Sequence, residues 1–186
     1  MYTDAHREVI KSFQEVCYWN YEIRSSLLVM CGYSYIHIDY HMYRIIVALK
    51  EYWMLQVEKL FDSKYAMGDK GKPNLVLDYL IEEIPWPDEI KEELQQLKEG
   101  MQPFVSCLIK ARHKVIAHND LKTLTEHKNE LFGAYKLDDE STFYESLLSF
   151  LNIAQRAVDG SPPLEWPRFA FSDAEQFMNV LRVSGL

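Results

Sequence analysis

Apolar residues recur at three- and four-residue steps along nearly the whole chain. No stretch sustains the two-residue alternation of a half-buried strand, so the pattern predicts an all-α protein. The first helix starts about Asp4 and runs into the twenties, with Val9, Phe13, Val16 and Cys17 on its apolar stripe, and breaks at Gly32. A second starts near Asp39 and carries Tyr43, Ile46, Val47, Trp53, Met54, Val57 and Leu60 at helical spacing, ending before the MGDKGKP loop. Pro73 suits the first turn of a short third helix, PNLVLDYLIEEI, which the prolines of PWPD terminate. Asp88 then reads as an N-cap. From there Leu94, Leu97, Met101, Phe104, Leu108, Ala111, Val115 and His118 form an unbroken heptad-like seam, with Gly100 and Pro103 as kink points. A further helix is expected over about Ser141 to Val158, and a last one opening at SDAE, where Ser172 and Glu175 have capping-box spacing. PPLEWP is the one candidate linker. The elements predict an up-and-down bundle over residues 1–160, and 161–186 as a C-terminal extension whose added helix packs on the same domain.

Composition supports one globular domain with a real core: 186 residues, 48% of them hydrophobic and 26% charged. Cys17, Cys31 and Cys107 are scattered and have no Cys-x-x-Cys spacing, which points away from a disulfide framework or zinc knuckle and towards a reducing, cytoplasmic setting. The longest charge-free run, Ser25 to Ile38, is about 14 residues. A membrane-spanning helix needs ~20, so none is expected.

Charge changes the picture. The net charge is −8, which repels a polyanion, yet between Lys110 and Lys128 five cationic residues face two acids and leave +3. The stretch KARHKVIAHND also brings together His113 and His118. His118 falls on the seam of Leu108 and Val115, while Arg112 sits beside it; on an ideal helix the two are ~9 Å apart along the axis and ~120° apart around it. They converge only if the helix ends near His118, if the Arg side chain swings back, or if a second copy completes the site. Taken alone, the residues are better explained by a core histidine at a helix terminus and an arginine complementing the helix dipole than by a catalytic site.

Arg112, polar His113 and, after five intervening positions, His118, in the string RHKVIAH within a late helix, resemble the HEPN superfamily signature of Arg, four to six residues, His. The string is most similar to HEPN domains of the abortive-infection U type. YWMLQVEKLFD and PNLVLDYLIEEI resemble the same family's second and third helices, so the resemblance covers roughly Asp4 to Val158. It implies a HEPN-like bundle and a metal-independent RNA endonuclease, a toxin or phage-defence effector. Such domains act without a cofactor, commonly as homodimers with two motifs across one cleft, and some are controlled by an antitoxin protein. On that reading Arg112 holds the phosphate and His118 moves a proton, with His113 orienting the pair or handling the second proton. Lys110, Lys114 and Lys122 contact the RNA backbone, and Asn119 either bonds a phosphate or, the reading that fits its place better, caps the helix. His113 stands where Asn or Asp is frequent in the family. Since some HEPN domains bind nucleotides or partners without cleaving, the alternative is a non-catalytic dimerisation or binding module.

Two further groupings carry less. His37 and His41 flank Asp39 one turn apart in YIHIDYH, a metal-chelating spacing with no third or fourth ligand at hand, so no metal site is expected there. Tyr33, Tyr35, Tyr40, Tyr43, Tyr52 and Trp53 could stack bases, but core or dimer packing explains them better.

Overall fold

A computed structural model of the chain describes residues 2–32, 40–111 and 137–183. Six α-helices and no strand lie among the described residues. Helix α1, Asp4–Gly32, reaches the glycine at which a break was expected. Phe13 and Cys17 on its predicted stripe are fully enclosed, Ile10 and Ile23 extend the buried face, and Val9 and Val16 flank it half-buried. Burial pushes the Cys17 thiol well above its ordinary range, which makes it an inert packing group. Helix α2, Tyr40–Lys59, buries Trp53, Met54 and Val57, with Leu60 just beyond its end.

Pro73 does not open the third helix. It pairs in an isolated antiparallel bridge with Tyr65, and its neighbours spend their main-chain groups across the loop: Ala66 N–H donates to the Lys72 carbonyl (2.9 Å) and Asn74 N–H to the Lys64 carbonyl (2.8 Å). Val76 stays extended, and α3 is confined to Leu77–Glu83, where the Leu77 N–H reaches back to the Leu60 carbonyl (3.0 Å). Between Pro85 and Pro87, Trp86 turns inward, and its indole N–H donates to the Leu80 carbonyl at 2.8 Å.

Helix α4, Asp88–Ala111, runs as one helix through Gly100 and Pro103. Asp88 lies in its first turn and favours the dipole there, while the Pro87 carbonyl accepts the Lys91 N–H. Leu94, Met101, Phe104 and Leu108 of the seam are at most 1% exposed. Helix α5, Leu137–Asp159, starts before Ser141 and meets α4 antiparallel: Gly100 lies opposite Ser146, and the Phe104 and Phe143 rings are 5.0 Å apart. Contacts of α1 with α5 are antiparallel too, Phe13 to Phe150 (6.1 Å between rings) and Asn20 to Tyr144 (2.7 Å). Along α2, Tyr52 meets Trp19 of α1, and Met42 joins Met30 in one small cluster. Helices α1 and α4 therefore run one way and α2 and α5 the other, the up-and-down bundle that the pattern predicts.

The Pro-rich stretch after α5 is fastened down. The Asn152 side chain accepts the Leu164 N–H and donates back to its carbonyl, and Trp166 stacks on Tyr21 with ring centroids 4.6 Å apart and planes 7° from parallel. With Trp166 held and Pro167 two residues ahead of it, helix α6 is already formed at Phe169 and runs to Val183. Ser172 is thus inside the helix and caps nothing. Ala174 and Met178 pack on Val29 of α1.

Candidate functional site

Each helix end that borders the two motif-bearing stretches lies at one pole of the bundle. The antiparallel register carries α4 from the Phe104–Phe143 contact to its end at Ala111, and carries α5 in the same direction back to its start at Leu137. Arg24 of α1 reaches Glu140 in the first turn of α5, so the end of α1 at Gly32 and hence the start of α2 at Tyr40 lie at that pole as well. Two helix C-termini and two helix N-termini meet there.

Of the residues to which sequence assigns chemistry, Lys110 is described. It is exposed in the last turn of α4, where a cation complements the helix dipole. Arg112, His113, Lys114, His118, Asn119 and Lys122 lie outside the described residues, as do Tyr33, Tyr35, His37 and Asp39; the side chains of Tyr40 and His41 are not described. Trp53 is closed off from any base by the core, whereas Tyr43 and Tyr52 are exposed. Among the described residues no three His, Cys, Asp or Glu side chains gather in a way that could hold a metal ion.

Below this pole lies a polar layer that the sequence reading missed. Glu140, only 2% exposed, accepts a hydrogen bond from Arg24 Nε at 2.6 Å, and the Arg24 guanidinium lies over the Tyr144 ring, 5.6 Å from its centroid. The Tyr144 hydroxyl accepts the Trp53 indole N–H (2.8 Å) and donates to Asn20 Oδ1 (2.7 Å). Lys50 of α2 is half-buried beside this layer, and desolvation holds its pKa below the ordinary lysine range against the opposing pull of Cys31 and Glu140. Side chains of α1, α2 and α5 are thus joined by directional bonds just below the pole, fixing where α5 begins relative to α1. The signal was in the periodicity: Asn20 and Arg24 continue the stripe of Phe13 and Cys17, and Glu140 sits one turn before Tyr144. A polar residue on a core stripe has to find partners there.

A family model described as AbiU2, of the HEPN group, matches residues 40–180, about three quarters of the chain. The chain belongs to the HEPN AbiU2 family. No curated protein and no solved structure matches it. The matched span takes in the whole RHKVIAH string and continues well into α6. It leaves out α1, whereas the resemblance noted above ran from Asp4 only to Val158. Among the described residues no helix is long and apolar enough to cross a membrane.

Proposed function

We propose that this HEPN AbiU2 chain is a metal-independent RNA endonuclease, an effector of abortive infection, and that Arg112 and His118 carry the chemistry. The observation that carries this reading is the family match over the run of cations and histidines from Lys110 to Lys128 in an acidic chain. The fold adds support, because α4 presents its exposed Lys110 at a pole built from four helix ends.

The reaction suits these groups. The RNA 2′-hydroxyl attacks the adjacent phosphorus in line and the bond to the 5′-oxygen breaks, leaving a 2′,3′-cyclic phosphate and a free 5′-hydroxyl. His118 takes or returns the proton as general base or acid, an effect worth roughly a hundred- to ten-thousand-fold. Arg112 offers a planar donor fork to the phosphate oxygens as charge builds on them. His113 handles the second proton or orients the pair. Lys110, Lys114, Asn119 and Lys122 hold the backbone, so binding weakens with salt. A two-fold dimer would bring two Arg112 to His118 segments together across one cleft, and an antitoxin protein would restrain it.

The test is cleavage of a labelled RNA in the presence of EDTA by the wild type, Arg112→Ala, His118→Ala and Lys122→Ala, each shown to be folded by circular dichroism. The first two variants should lose cleavage. Lys122→Ala should bind RNA less tightly with a flatter salt dependence and keep its turnover at saturation. Folded wild-type protein that dimerises and cleaves nothing would favour the non-catalytic module.

A further inference from the structure

An open groove of about 330 Å³ runs between α1, α2 and α6 on a flank of the bundle. Its α1 wall is Trp19, Ile23, Ser26 and Met30, a four-three-four spacing along one helix face. Leu49 of α2 and Ala174 and Phe177 of α6 complete the apolar lining. Large apolar groups stand open around it: Trp19 is 53% exposed, Phe177 47%, and Tyr52, whose hydroxyl accepts the Trp19 indole N–H at 3.4 Å, 41%. One turn from Leu49 and Phe177, Ile45 and Val180 are 51% and 63% exposed. Single exposed hydrophobes are ordinary, but a groove lined by apolar residues of three helices, one wall at four-three-four spacing, has the form of a seat for one more helix.

Charge decides what sits there. Among the described residues the charged side chains lining the groove are Glu22 and Asp173, both acidic. A second copy of this chain docked by the same face would set each pair of carboxylates against its own image, because a two-fold contact is self-complementary. A cationic flank on the incoming helix would instead meet both. We infer that this groove receives a basic amphipathic helix of a partner protein, its apolar stripe against Trp19, Leu49 and Phe177 and its lysines or arginines against Glu22 and Asp173. Leu, Met or Phe at i, i+3, i+4 and i+7 would fill the lining, as in other helix-in-groove recognition. The methionines around Met30 and Met42 give this edge an adaptable surface. The inference does not depend on RNA cleavage, and its test reads binding alone.

Three synthetic peptides supply the probes: an 18-residue amphipathic helix with a leucine stripe and lysine flanks, the same stripe with glutamate flanks, and a scrambled version of the first with its charge kept and its stripe destroyed. Binding to the full chain is followed by fluorescence anisotropy at several salt concentrations. The lysine peptide should bind at least tenfold more tightly than either control. Phe177→Glu should abolish that binding, and Glu22→Lys with Asp173→Lys should reverse the preference towards the glutamate peptide. Both changes lie on partly or fully exposed side chains, and circular dichroism confirms the fold. Equal binding of the lysine and scrambled peptides, or an undiminished lysine-peptide affinity in the charge-reversed protein, would overturn the inference. So would sedimentation showing a wild-type dimer that Phe177→Glu converts to monomer, which would make the groove a self-association face.

Discussion

Two regions of one bundle are held by opposite means. Where α4 meets the middle of α5, contact is dry: Met101, Phe104 and Leu108 on one helix, and Phe143, Leu147, Phe150 and Leu151 on the other, are all at most 1% exposed. Where α1 crosses the start of α5, the contact is polar, a buried carboxylate held by Arg24 and a tyrosine hydroxyl bonded on both sides. The dry region depends on how well its apolar volume is filled. The polar region depends on direction and pairing. It fixes where α5 begins, and so the distance that the motif-bearing segment must span from Ala111.

Four variants test that contrast. Phe150→Ala removes a ring that touches Phe13 from the dry region and should cost about 3–5 kcal/mol in urea unfolding, with no second substitution that restores it simply by matching polarity. Glu140→Ala leaves the Arg24 guanidinium, a fifth exposed, without its carboxylate, and should cost about 2–3 kcal/mol. The decisive step is the pair: Arg24→Met with Glu140→Leu should return to within about 1 kcal/mol of wild type, because replacing both charges removes the desolvation cost along with the attraction. A double variant no better than Glu140→Ala would show that the polar layer stabilises like the dry one. The smallest effect belongs to Gly100→Ala. A Cβ there meets only Ser146 Oγ, at 3.9 Å, an ordinary contact, so a mid-helix alanine should stabilise by about 0.5–1 kcal/mol and raise the melting temperature by about 2 °C.

The same contrast explains what could be read without coordinates. Helical period alone located the all-α bundle and the part of its core on α1, α2 and α4, since Phe13, Trp53, Leu94, Met101, Phe104 and Leu108 are buried for the reason that placed them on stripes, whereas Tyr43, placed on the α2 stripe, is exposed. Period did not locate elements whose ends are set by distant bonds. Pro73 has the right identity to start a helix, but its neighbours are committed to Ser63, Lys64 and Ala66 across the loop. Ser172 has capping spacing, but the stacking of Trp166 on Tyr21 starts α6 three residues earlier. Glu140 is preceded by Asp138 and Asp139, and the three together look like a solvated acidic first turn; only the approach of Arg24, far away in sequence, makes one of them a buried ion. Of the residues proposed for RNA chemistry, the described structure speaks to Lys110 alone, and the assignment of Arg112 and His118 rests on the motif within its family.

That assignment has one direct measurement. Purified wild type and His118→Ala, matched for fold and oligomeric state, are given the same labelled RNA in EDTA, and the product ends are mapped. Wild type should leave 2′,3′-cyclic phosphate and 5′-hydroxyl ends, and His118→Ala, though folded, should leave the RNA intact. Equal cleavage by the two proteins, or products ending in 5′-phosphate, would contradict it.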